Sequence, residues 1–108
     1  MFKGERLVVA FKNNIPQPST VHWHGLRFPN VMDGVPGLTQ AAVDLGGSYI
    51  YEFNLPDVRT FWYHSHVKSL EQIGWGLYGP LIVEEKSPPK VDRDITWVLD
   101  DWHMSEGG

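Results

Sequence analysis

A chain of 108 residues, 42% hydrophobic and 20% charged, has the composition of a globular protein and room for one hydrophobic core, so residues 1–108 read as a single domain. A net charge of -4 without a basic run argues against nucleic acid as a partner. The absence of cysteine removes disulfides and thiolate metal sites, and no apolar run approaches the ~18–20 residues of a membrane span.

Taken in chain order, the opening "MFKGERLVVAFKNN" is interrupted too early to read as a signal peptide, and its centre suits a strand over Arg6 to Lys12. Glycine- and proline-rich stretches such as "NNIPQPS", "FPNVMDGVPG", "LGGS", "LPD", "YGP" and "SPP" then separate short runs of β-branched and aromatic residues. That is the pattern of an all-β sandwich or barrel. The further strands expected are Thr20 to Arg27, Ser48 to Asn54, Thr60 to His66, Gly79 to Glu84 and Asp94 to Leu99. Only "SLEQIGWG", Ser69 to Gly76, suits a helical turn, kept short by its glycines.

Four of the five histidines fall in two His-x-His pairs, His22 and His24 in "TVHWHGLRFPN" and His64 and His66 in "TFWYHSH". On a strand, residues i and i+2 share a face, so His22 and His24 project together and away from Val21 and Trp23. Thr60, Trp62, His64 and His66 likewise share a face opposite to Phe61 and Tyr63. With a rise of about 3.3 Å per residue, the Cα atoms of one pair lie ~6.7 Å apart, a spacing that serves one ion or two neighbouring ions. Metal pairs in enzymes commonly stand about 3.5–4 Å apart, which favours two ions.

One His-x-His arises easily on a solvated sheet face; two among five histidines, both set in aromatic surroundings, favour metal binding over a structural role. Imidazole-only ligation suits copper, zinc, nickel or iron and disfavours magnesium and calcium. Each ligating ring must be neutral, with its second nitrogen held by a hydrogen bond. Asp33, in the turn "NVMDGVPG", suits either a bond to its own backbone or a carboxylate that moves protons near a metal site. His103 reads as an exposed histidine, Asp100 and Asp101 as a solvated strand end, and Trp23, Trp62, Trp97 and Trp102 as core or interface aromatics.

The segments "PQPSTVHWHGLRFPNVMDGVPGLTQ", "TFWYHSH" and "GLYGPLIVEE" resemble the amino-terminal cupredoxin domain of the multicopper oxidases, the family of laccases, bilirubin oxidases and bacterial copper-efflux oxidases. The resemblance runs from about Gly4 to Trp102. It implies a Greek-key β-sandwich of cupredoxin type, with His22 on a type 2 copper and His24, His64 and His66 on paired type 3 coppers. It also implies that Asp33 helps deliver protons as dioxygen becomes water, and that the protein works in the periplasm or outside the cell.

The chain departs from the family in three ways. Without cysteine it has no blue-copper site, its four histidines are half of a trinuclear cluster's eight, and it starts almost at the "GERLVV" strand where relatives carry one or more strands before it. A sheet edge open to pairing is therefore expected, as is a truncated or isolated first domain. Its partners are then the remaining cupredoxin domains or other copies of the chain, with dioxygen and a reducing substrate only in the complete assembly. The alternative is a stand-alone or oligomeric copper-binding module without turnover.

Overall fold

Alternation along the sequence decides which residues meet in the core. In β1 (Arg6–Lys12) Leu7 is buried and Val9 and Phe11 are half-buried, while the residues between them face solvent. In β3 (Ser48–Asn54) Tyr51 and Phe53 are buried on the same alternation. These two strands pair antiparallel along their whole length, from Arg6 opposite Asn54 to Lys12 opposite Ser48. The computed structural model, which describes residues 1–102, sets this two-stranded sheet against a three-stranded antiparallel one.

The second sheet has the order β2 (His22–His24), β4 (Arg59–His64), β5 (Tyr78–Val83). Trp23 from β2, Phe61 from β4 and Val83 from β5 face inward to join Leu7, Tyr51, Phe53 and Leu55 in one core. The Trp23 ring meets Tyr51 and Phe53 edge-on at 5.5 and 5.3 Å between ring centroids, a favoured arrangement of aromatic quadrupoles. The Tyr51 hydroxyl accepts the backbone N–H of Val21 at 2.9 Å, fixing the chain as it enters β2. The architecture is thus a sandwich and not a barrel, and among the described residues β1 has a ladder partner on one side only.

Two strands are shorter than their sequences suggest, and a third is shifted by one residue. β2 holds only three residues because Gly25 takes a left-handed φ of 83° and the Leu26 N–H turns back to the Trp23 carbonyl. β4 stops at His64, where the Ser65 N–H bonds the Leu77 carbonyl and the chain swings through Lys68 (φ 43°) into helix α1 (Ser69–Gly74). β5 starts one residue earlier and ends one residue earlier than expected.

The larger difference is Asp94 to Leu99, which forms no strand. It pairs with no strand among the described residues, and β-forming side chains cannot hold an extended segment without a ladder. Trp97 and Trp102 are accordingly exposed, not core residues; Trp97 keeps 77% of its surface in solvent. Trp62 is partly exposed, and only Trp23 of the four is buried. His103 lies outside the described residues.

Candidate metal centre

The register of β2 on β4 builds the site. His22 stands directly opposite His64, and His24 opposite Trp62, so both histidine motifs face the same side of the sheet. Trp23, opposite Tyr63, points into the core and anchors the strand from beneath. One ring nitrogen from each of His22, His24 and His64 falls within 4.8 Å of the others, a trio able to share an ion.

His66 follows the end of β4, and its ring lies 5.3 Å from that of His22 and stacks 6.3 Å from that of His64. It borders the trio without being part of its tightest grouping. Trp62 closes the other side, its ring 4.9 Å from His24 and 4.3 Å from His64.

The second nitrogen of two rings is held by backbone. His64 Nδ1 donates to the Ser65 carbonyl at 2.9 Å, which leaves Nε2 with its lone pair toward the other histidines. His24 Nδ1 lies 3.3 Å from that Nε2, so His24 is the donor of this pair. His22 Nδ1 donates to the Asp33 carbonyl at 2.8 Å, and the Asp33 carboxylate reaches the same nitrogen at 3.1 Å.

A short 3-10 turn, Asn30–Met32, delivers Asp33 to that position. Gly34 then packs against β2 so closely that a Cβ would overlap the Val21 carbonyl, and its φ of 73° independently favours glycine. Gly34 is a positioning residue that motif reading passes over, although the "DG" step is its visible signal. Ser65 and Gln72, both buried next to the second motif, were equally silent in sequence because serine and glutamine carry no metal-ligand signature.

Electrostatics favour the ligating form. Burial holds the His64 pKa below the ordinary histidine range; its bond to the Ser65 carbonyl opposes this, and the neighbouring His22, His24 and His66 lower it further. A ring kept neutral, with Nδ1–H committed to a carbonyl and Nε2 unprotonated, is the state a metal requires. Three converging imidazoles with no thiolate form a donor set that suits copper. The residues present therefore fit the metal that the motifs imply.

The sequence matches the multicopper oxidase family over residues 1–88. Copper resistance protein A of Pseudomonas syringae pv. tomato is 40% identical over 102 residues, covering 93% of this chain and 16% of the relative. Dihydrogeodin oxidase of Aspergillus terreus is 41% identical over 108 residues, covering 95% of this chain and 18% of the relative. The solved structure of Lac15 from a marine microbial metagenome superposes with a TM-score of 0.79 at 58% identity, over 84% of this chain and 24% of the other. A multi-copper oxidase from Pseudomonas thermotolerans gives 0.79 at 47% identity, over 81% and 21%.

The chain thus spans less than a quarter of the length of each of these proteins. Among its described residues no helix is long and apolar enough to cross a membrane. With its histidine motifs brought together on a cupredoxin-type β-sandwich that offers a copper site, the chain belongs to the multicopper oxidase family.

Proposed function

We propose that this chain is the first cupredoxin domain of a laccase-like multicopper oxidase and supplies half of the histidine ligands of its oxygen-reducing copper cluster. The observation that carries the proposal is the convergence of His22, His24 and His64, with the outer nitrogens of His22 and His64 already committed to backbone carbonyls. His22 would hold the type 2 copper, and His24, His64 and His66 the type 3 pair. When bound, copper supplies the one-electron redox chemistry by which a multicopper oxidase converts dioxygen to water.

The chain's own residues orient and exchange protons. The Asp33 carboxylate, 3.1 Å from His22 Nδ1, would fix that ring and pass protons toward the centre. Burial of His64 excludes water from one wall of the site, and Trp23 holds β2 rigid below the ligands. The remaining cluster ligands and the electron-accepting blue copper, which needs a cysteine this chain lacks, belong to further cupredoxin domains. The reducing substrate would be a phenol or cuprous ion, in keeping with relatives named for copper resistance and for laccase, in the periplasm or outside the cell.

Copper titration of the chain tests the proposal. The wild-type protein is expected to bind copper, and the paired change His64→Ala with His66→Ala to abolish that binding. A folded wild-type chain that takes up no copper, or an unchanged stoichiometry in the double variant, would overturn it.

A further inference from the structure

Ser65 sits between the two histidines of the second motif, and its side chain points away from them into the protein, where it is 3% exposed. There its hydroxyl donates to Oε1 of Gln72 at 2.5 Å, and the hydroxyl of Ser19 donates to the same oxygen at 2.9 Å. Gln72 Nε2 donates to the Pro18 carbonyl at 3.0 Å and to Gln17 Oε1 at 3.2 Å. Gln72 is completely buried, and its amide makes two bonds through each end. The reversed amide would set its oxygen against the Pro18 carbonyl, so the acceptors and donors around it fix this orientation.

These bonds join three parts of the chain: α1, the turn after β4, and residues 17–19 leading into β2. We propose that Gln72 is a positioning residue of the copper centre, which clamps Ser65 so that the Ser65 carbonyl holds His64 in the Nδ1–H tautomer and leaves Nε2 to the metal. The link is direct in space. Gln72 fixes the Ser65 side chain, Ser65 presents its carbonyl to His64 Nδ1 at 2.9 Å, and His64 Nε2 faces His24 at 3.3 Å. Through Ser19 and Pro18 the same amide also fixes the approach to β2, so both histidine motifs are referenced to one side chain.

An apolar side chain of equal length would remove the shared acceptor. The Ser65 hydroxyl then keeps only the Val67 carbonyl and N–H, at 3.3 and 3.2 Å, and the Ser19 hydroxyl at 3.3 Å, and the peptide that carries the His64 acceptor loses its tie to α1. Groups that orient metal-bound histidines from outside the ligand set commonly change metal affinity by about 10–100-fold when lost.

The inference rests on the reading of the histidines as copper ligands only for its affinity readout; the tautomer readout needs no metal. The experiment is nitrogen-15 NMR of the imidazoles in the metal-free 108-residue chain, paired with copper affinity by chelator competition, for wild type, Gln72→Met, Ser65→Ala and Gln17→Ala. Wild-type His64 is expected as the Nδ1–H tautomer. Gln72→Met and Ser65→Ala are expected to give a mixture of tautomers and to weaken copper binding about 10–100-fold. Gln17→Ala removes an outer partner of Nε2 and an exposed bond to Glu71, leaves the Ser65 and Ser19 bonds to Oε1 in place, and is expected to leave both readouts unchanged.

A wild-type His64 protonated on Nε2 would overturn the inference, as would a folded Gln72→Met with unchanged tautomer and affinity. Should Gln72→Met fail to fold, an unchanged tautomer in Ser65→Ala overturns it equally. Failure of wild type to bind copper would sink the proposed function, while the tautomer comparison would still decide the role of Gln72.

Discussion

His24 Nδ1 and His64 Nε2 face each other at 3.3 Å across the β2–β4 pairing, one histidine from each motif. A metal held by both would replace that contact, so the two ligands act as a unit. Strong coupling is expected: His24→Ala and His64→Ala should each weaken copper binding, and the double variant should lose much less than the sum of the two. Copper affinities measured around this double-mutant cycle check it. Additive losses would show that the two rings serve unrelated sites.

Copper should also stabilise the fold. A ligand that binds only the native chain contributes about 2.7 kcal/mol at a free concentration one hundred times its dissociation constant. Thermal unfolding with and without copper is expected to show a rise in the midpoint that disappears in His64→Ala. Equal rises in the two proteins would place the copper elsewhere.

The metal-free chain should lose stability on acidification through His64. Burial lowers its pKa in the folded protein, whereas the unfolded chain keeps the ordinary value of about 6.5. Between the folded value and about 6.5 the unfolded state therefore takes up a proton that the native state refuses, and stability falls with pH across that window. Denaturant unfolding at a series of pH values is expected to show this slope in wild type and a flatter profile in His64→Gln. Identical profiles would remove His64 as the cause.

Gly34→Ala should be costly although it replaces no proposed ligand. The added methyl meets the Val21 carbonyl at a positive φ, so the Asp33 turn must move away from β2 and His22. A loss of about 1–3 kcal/mol is expected from strain of this kind, together with weaker copper binding, measured by urea unfolding and by titration. Wild-type values for both would show that the turn can relax without moving Asp33.

The tryptophans separate by burial. Trp23→Ala removes the centre of the aromatic core and should cost about 3–5 kcal/mol, whereas Trp97→Ala, at a side chain 77% exposed, should stay within about 0.5 kcal/mol of wild type. Unfolding midpoints of the two variants check the contrast. A large effect at Trp97 would mean that the segment from Asp94 to Leu99 packs more firmly than its exposure indicates.

Much of this fold was legible because its signals are local. Alternation in "RLVVAFK" and "SYIYEFN" marks β1 and β3 to the residue, and the i, i+2 spacing puts each histidine pair on one face. The register that brings His22 opposite His64 is a long-range property that spacing cannot provide. The same limit explains Asp94 to Leu99, whose strand pattern describes side chains and not whether the segment finds a ladder partner. Gln72 was hidden for a related reason, since three of the four bonds its amide makes go to residues 17–19, distant in sequence.

If the histidine motifs form one copper centre, both must contribute to the metal's surroundings. X-ray absorption spectroscopy of the copper-loaded chain, with copper content measured in parallel, checks this in wild type, His22→Ala and His64→Ala. An imidazole-nitrogen shell is expected in wild type, and loss of copper, or of part of that shell, in each variant. The same copper content and the same spectrum in all three proteins would contradict it.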